Sequence, residues 1–410
     1  MGRHVLILNR WDDEFARYHL HVDHERHRIA YITTRDGLPV IATDLAEEVA
    51  VVEPLDHRDD VLRAARDLQQ RHGRFDCLIA LSEFDIETGA FLRQALGIEG
   101  QQPEEASRLR DKVTMKRCVA EAGIPVPRFA ALESPYQIRR FAREVGFPLV
   151  VKPRDGAASR GVMIVASQSE LDGLLRGQAM EGLECEEYIE GDIYHVDGLA
   201  VAGEILALKP AKYLNTCLDF ARGRPLGSVG VDNASVVEEM ASFTGRVLAA
   251  LGLVTGAFHL ELIRRPSPPG GEQVVFLEIG GRVGGAEIPF IWRDVYGFDL
   301  IGEWLRVQLG EPPRVPETPP GGEVAGFLIV PEPEAVPCRV IAAPSLARRV
   351  PFLYEEVLPA PGDVLDGTGG YERIGGRFRF RGGSSIQVER AVRTAMAEYR
   401  LEYQPCSLPA

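Results

Sequence analysis

Residues 257–285, AFHLELIRRPSPPGGEQVVFLEIGGRVGG, constrain the fold more than any other stretch of the chain. Two apolar runs, 257–263 and 274–279, flank a turn-rich segment at 266–271, the pattern of two antiparallel strands joined by a short loop. A hairpin symmetric about the Pro269/Gly270 bond sets Glu261 directly opposite Glu278, with Cβ atoms roughly 5 Å apart on one face. Carboxylates so placed repel each other unless a cation lies between them, and a hard, oxygen-seeking ion such as Mg2+ is the natural candidate. Arg282 follows within a glycine run (Gly280, Gly281, Gly284, Gly285) whose bare backbone admits close approach of a ligand. Acids, an arginine and bare backbone in one place suit phosphate handling. The alternative is a solvent-facing hairpin with two unrelated glutamates.

The 410 residues suffice for several domains with their own cores. Hydrophobic content of 45% and charged content of 26% are those of an ordinary globular chain. A formal charge of −14 argues against a nucleic-acid groove, which needs a positive field. No apolar run approaches the roughly 18 residues of a membrane span, and the N-terminal run is too short for a signal peptide. The expected location is the cytoplasm. Six cysteines lie scattered without CxxC spacing, as expected of thiols in a reducing compartment. The tail at 404–410 is expected to lie outside the last element.

Strand patterns at 4–9, 28–33, 49–53 and 76–81 alternate with helical patterns at 59–71 and 84–96, which predicts a doubly wound parallel α/β domain. No GxGxxG follows the first strand, so the dinucleotide fingerprint is missing. Ser82, Glu83 and Asp85 follow the fourth strand, where such sheets place ligand contacts, though a helix N-cap explains them equally well. The pattern predicts one helix over 104–122, stopped by Gly123 and carrying Lys112 and Lys116 on one face. Residues 132–145 read as helix, and FPLVVKP at 147–153 as a buried strand ending on Lys152. The loop RDGAASRG then leads to a strand at 162–166. A lysine before such a loop suits phosphate binding, and backbone N–H groups near Ser159, Arg160 and Gly161 could form an anion nest. The GxxxxGK[ST] spacing is absent, so this is not a P-loop.

Strands are expected at 183–190, 193–201 and 204–208, followed by an irregular segment at 211–231 read as a loop closing over substrate. A helix over 236–251 precedes the hairpin, and another is expected over 298–309. EPPRVPETPPGG at 311–322 is the best linker. Short strands at 323–330, 338–343, 348–355 and 378–381, with a helix at 384–399, complete the chain.

DKxxxK on a helix, VVKP with its glycine-containing turn, EEYIEG, HLELI and LEIGGRxGG stand in one order along the chain. Together they resemble the ATP-grasp superfamily over essentially the whole length. The resemblance is closest to carboxylate–amine ligases of the L-amino-acid ligase type, and more distant to D-alanine–D-alanine ligase and biotin carboxylase. It implies an N-terminal α/β domain (1–102), an ATP-grasp domain of two subdomains (103–185 and 186–310) and a small C-terminal α+β module (311–403). It implies ATP and Mg2+, with Lys112 and Lys152 on the phosphates under a flap at Ser159, Arg160 and Gly161. Glu186, Glu187 and Ile189 would read the adenine, and Glu261 and Glu278 would bind the metal. Arg282 would stabilise the acyl-phosphate, with His259, Glu83, Gly284 and Gly285 bordering the substrates.

Two positions depart from the family pattern. Gly280 stands where an asparagine is usual, removing one oxygen ligand. Ile193 stands where a glutamate usually holds the ribose, leaving Asp192 or His195 for that role. The resemblance implies an ATP-dependent carbon–nitrogen ligase acting on a small carboxylate and an amine, and allows a homodimer. A carboxylase, a purine-pathway ligase and a non-catalytic ATP-binding regulator are the other readings.

Overall fold

The computed structural model describes residues 2–177, 179–267, 270–315, 322–367 and 374–407. Three expectations therefore fall partly outside the described residues: the hairpin turn at Pro268 and Pro269, the linker at 316–321, and the tail at 408–410.

The first sheet is built from β1 (His4–Asn9), β2 (Arg28–Thr33), β3 (Glu48–Val51) and β4 (Cys77–Ala80), with α1 (Arg58–His72) before β4 and α2 (Ile86–Leu96) after it. All pairings are parallel in the order β3-β2-β1-β4, and central β1 is buried at every residue. One face packs on Val61, Leu62, Ala65 and Leu68 of α1 and on Leu92 and Leu96 of α2. The other packs on Ile301, Leu305 and Leu309, from far along the chain. The winding reverses between β1 and β4, so the loop after β4, with Ser82 and Glu83, opens at the crevice where such sheets bind ligands.

The single helix expected over 104–122 is two, α3 (Pro103–Arg110) and α4 (Lys112–Glu121). Asp111 leaves helical geometry (φ −84°, ψ 108°) and its side chain accepts from Thr114 N, capping α4. The break starts α4 at Lys112, whose own N–H donates to Arg154 O. The helix expected over 132–145 begins later, because 129–132 form a strand. β5 (Phe129–Leu132), β6 (Leu149–Pro153), β7 (Met163–Val165) and β8 (Leu183–Glu187) make an antiparallel sheet in the order β5-β8-β6-β7, with α5 (Pro135–Val145) between β5 and β6 and α6 (Gln168–Gly177) between β7 and β8 in the chain.

The large sheet uses β9 (Asp192–Val201), β10 (Glu204–Tyr213), β11 (Leu226–Gly230), β12 (Gly256–Pro266) and β13 (Glu272–Gly280). Segment 211–231 is therefore not an irregular loop. It completes β10, forms a short helix α7 (Cys217–Ala221) capped by Thr216, and returns as a fully buried β11. α8 (Ala234–Leu251) packs on one face through Val236, Met240, Phe243 and Val247. After β13 come α9 (Ile288–Tyr296) and α10 (Leu300–Gln308).

The C-terminal strands are β14 (Val324–Val330), β15 (Cys338–Ala342), β16 (Leu353–Val357), β17 (Val364–Leu365) and β18 (Gly376–Gly382), then α11 (Ser385–Glu398) and β19 (Glu402–Pro405). The large sheet runs β13-β12-β9-β10-β11-β14-β18-β16, so three of these strands continue the sheet past the proline-rich linker. Residues 311–403 thus do not form a module with a sheet wholly of its own; β15, β17 and β19 make a small separate one. Gln404 and Pro405, placed by the sequence in the tail, belong to β19 and pair with Arg339 and Cys338. None of the six cysteines is in a disulfide, and no helix among the described residues is long and apolar enough to cross a membrane.

Candidate active site

The hairpin pairs Glu261 with Glu278, as its sequence requires. It does so through a β-bulge. Near the loop Pro266 pairs with Glu272 and Leu262 with Phe276, which would set Glu261 against Leu277; one extra residue moves its partner to Glu278. Leu277 and Glu278 consequently both line the cavity side of the ribbon, while Phe276 and Ile279 stay in the core with Phe258, Leu260 and Leu262.

Two cavities, of about 580 and 460 Å3, meet at these carboxylates: Lys112, Ser159, Arg160, Glu261 and Glu278 line both. The smaller is an apolar slot walled by Val150, Ile164, Ile189, Ile193, Ile263 and Leu277, with Glu186, Glu187, Tyr188 and Lys152 around it. Ile193 therefore contributes apolar wall at this position. The larger holds Glu83, Arg282, His259, Gly284 and Gly285.

Charge is concentrated at the junction. Lys112 Nζ donates to Gly156 O (2.5 Å) and lies 3.4 Å from Glu278 Oε2. Burial raises the Glu278 pKa, but Lys112 and Lys152 outweigh it and hold the carboxyl down at about 2. Lys152 Nζ lies 2.7 Å from Glu186 Oε1 and 3.8 Å from Glu184. Burial opposes its charge, yet Glu186, Glu278 and Glu184 together push its pKa up. Lys116, fully buried, lies 2.6 Å from Glu184 and 2.5 Å from Glu186. The Glu186 carboxylate is thus held between two lysines.

The flap residues Ala158 and Ser159 have φ of 54° and 56°, and Gly161 of 72°, the left-handed geometry of a backbone nest. Ser159 and Arg160 face both cavities; Gly161 turns the chain behind them against Pro153. In the larger cavity Arg282 Nε donates to Glu83 Oε2 (2.7 Å) and Arg110 donates to Glu83 Oε1 (2.5 Å). Burial raises the Glu83 pKa, but the two guanidiniums outweigh it and lower it.

The two ribose candidates are not brought to the slot. Asp192 pairs with Lys212 (2.6 Å) at the surface, and His195 is buried with both ring nitrogens bonded. His195 Nδ1 donates to Asp197 Oδ2 (2.6 Å), His259 Nδ1 to Asp197 Oδ1 (2.8 Å), and Ser228 Oγ lies 2.7 Å from His195 Nε2. These separations are hydrogen bonds between the side chains themselves. The imidazoles hold Asp197 below the usual carboxylate range although burial opposes it, and Asp197 raises His259 to about 9 against its own burial.

Residues 117–200 carry a match to the ATP-grasp domain family. The chain is 27% identical over 308 residues, 72% of each chain, to the L-arginine-specific L-amino acid ligase of Bacillus subtilis. Its fold is similar to the crystal structure of L-amino acid ligase from Bacillus licheniformis, with a TM-score of 0.77, 18% identity and 98% and 99% of the two chains covered. It is similar also to phosphoribosylglycinamide synthetase from Anaerococcus prevotii, with a TM-score of 0.70, 15% identity and 98% and 100% covered.

Sequence reasoning passed over Arg110, Glu184, Asp197 and Ser228 in this site, and gave Lys116 no role beyond sharing a helix face with Lys112. His195 and Asp197 did leave a signal, two polar residues at alternate positions in the middle of a mostly apolar strand. Arg110 and Ser228 left none, because their partners lie far away in sequence.

Proposed function

We propose that the protein is an ATP-dependent, ADP-forming carbon–nitrogen ligase that joins the carboxylate of an amino acid or other small acid to an amine through an acyl-phosphate. The observation that carries this reading is the meeting of an apolar slot and a polar cavity at one acidic pair flanked by lysines. ATP in the slot would direct its γ-phosphoryl toward the junction, where Lys112, Lys152 and the flap N–H groups near Ser159 and Arg160 meet its oxygens. Glu187 and Ile189 would offer backbone groups to the adenine edge.

Glu261 and Glu278 present carboxylate oxygens, hard donors, and that set fits Mg2+. A magnesium ion held there would neutralise phosphate charge during transfer. A substrate carboxylate oxygen attacks the γ-phosphorus as the bond to ADP breaks. The amine nitrogen then attacks the acyl carbon, the C–N bond forms, phosphate leaves and the amine loses a proton. Arg282, anchored by Glu83, would stabilise the negative charge of both steps; His259, Gly284 and Gly285 would border the acid and amine. Water must be excluded meanwhile because acyl-phosphates hydrolyse.

Phosphate release and product mass, measured over pairs of L-amino acids with ATP and Mg2+, test the reading. Release that requires two amino substrates, with an amide product, supports it. Turnover with bicarbonate or a ribonucleotide amine instead would replace it with the carboxylase or purine-type reading, and nucleotide binding without turnover would leave a regulator. A homodimer and a cytoplasmic location belong to the same proposal; light scattering and fractionation test them.

A further inference from the structure

Asp197 lines neither cavity, yet it is built into the back of one. It sits on β9 directly across from His259 on β12, and the next cross-strand pair on the same face is His195 with Glu261. Both oxygens of its carboxylate are used, one by His259 Nδ1 and the other by His195 Nδ1. His195 is fixed in turn by Ser228 Oγ on β11 and by the Tyr213 ring at 4.6 Å on β10. An ionised carboxylate only accepts, so both Nδ1 atoms carry protons. That leaves His259 Nε2 turned to the cavity, 3.6 Å from Glu261 Oε1.

We propose that Asp197 is a positioning residue of the ligation site: it fixes the ring orientation and Nδ1 proton of His259, and so the direction in which Nε2 meets the acid and amine substrates. Packing alone does not call for this arrangement. Burying an acid between two imidazoles costs desolvation that an apolar trio would avoid. A carboxylate behind a histidine, oriented by a further shell of its own, is how a protein fixes which ring nitrogen faces a site. Gly284 keeps the arrangement closed, since a Cβ there would lie 2.3 Å from Asp197 Oδ1 and 3.0 Å from His259 Nδ1.

The inference rests on the ligase reading, and the test separates the two. Steady-state constants are measured for wild type, Asp197→Asn, His259→Gln, the double variant and Ser228→Ala, with melting temperatures alongside. In Asp197→Asn, kcat/KM for the acid and amine is expected to fall about 100-fold while the KM for ATP stays within about twofold. In the His259→Gln background the same change should cost less than about twofold, because its effect passes through the histidine. Ser228→Ala, which leaves the Asp197 contacts in place, should lower the same constants about threefold and keep the KM for ATP. Multiplicative losses in the double variant overturn the proposal. So does a fall in melting temperature with kinetic constants unchanged in both Asp197→Asn and Ser228→Ala. A wild-type protein inactive with every substrate pair overturns the ligase reading and this proposal with it; an active wild type with an unaltered Asp197→Asn overturns this proposal alone.

Discussion

Gly280 and Glu83 compete for one space: a Cβ on residue 280 would lie 2.7 Å from Glu83 Oε2. That carboxylate grips Arg282 and Arg110, so the missing side chain at 280 makes room for an anchored guanidinium. The departure from the ATP-grasp pattern at 280 and the acid after β4 are thus one feature. Gly280→Asn should push the flexible end of Glu83 aside without unfolding the chain. Activity is expected to fall at least about 10-fold in kcat/KM, with melting temperature lowered by no more than about 4 °C. Full activity in Gly280→Asn would show that the Glu83–Arg282 bond is dispensable.

Glu278→Gln keeps shape and removes charge. The carboxylate sits between Lys112 and Lys152 where the cavities meet, so its loss is expected to lower phosphate release about 100- to 1,000-fold. The Mg2+ concentration needed for residual turnover should rise. Wild-type rates would refute the role given to this residue.

Adjacent glycines should respond oppositely. A Cβ at Gly284 meets Asp197, Ile288 Cδ1 at 2.7 Å and His259, whereas one at Gly285 meets nothing within 4 Å. Gly284→Ala is expected to cost about 1–3 kcal/mol of stability and to lower kcat/KM for the amino substrates. Gly285→Ala should fold as the wild type does, within about 0.5 kcal/mol. Thermal unfolding of the two variants side by side decides this.

The acid limb of stability should carry the mark of Asp197. Its carboxyl ordinarily titrates at 3.8 and is held lower in the folded protein by His259 and His195, against the effect of burial. The unfolded chain therefore takes up this proton first as pH falls. The resulting stability is fully present above about pH 4 and is lost progressively below it. His259 acts in the opposite sense: raised from 6.5 to about 9, it contributes stability that is present below 6.5 and lost as pH rises toward 9. Urea midpoints of the metal-free protein should fall less steeply below pH 4 in Asp197→Asn. They should decline less between 6.5 and 9 in His259→Gln.

Local pattern carried the sequence reading where each strand's partner lay close by. The Glu261–Glu278 pair emerged from a symmetric hairpin, though the bulge at Leu277, which actually delivers it, has no signature in residue types. The break at Asp111 was written as an ordinary N-cap three residues before Thr114, but the continuous helical pattern on either side hid it. The sheet's passage beyond the proline-rich linker was invisible because β11 pairs with β14 across about a hundred residues, and no local period records such a pairing. Buried charge was hidden for the same reason. A lysine on a helix reads as solvated until the strand that faces it is known.

Lys116 gives that point its sharpest test. It is fully buried, and Glu184 and Glu186 reach it from β8 while Lys152 reaches the same acids from β6. Two lysines balance two glutamates, Lys116 and Glu184 fully buried and Lys152 and Glu186 at the wall of the smaller cavity. Lys116→Met leaves one ammonium for two buried carboxylates, and the expected loss is about 3–5 kcal/mol by urea denaturation. Removing Glu184 as well, in Lys116→Met/Glu184→Leu, restores a one-to-one balance between Lys152 and Glu186. It should recover most of that stability, because an apolar pair of similar volume avoids the desolvation that the ions incur. If the double variant is instead as unstable as the single one, the cluster is held by the shape of its side chains and not by the matching of its charges.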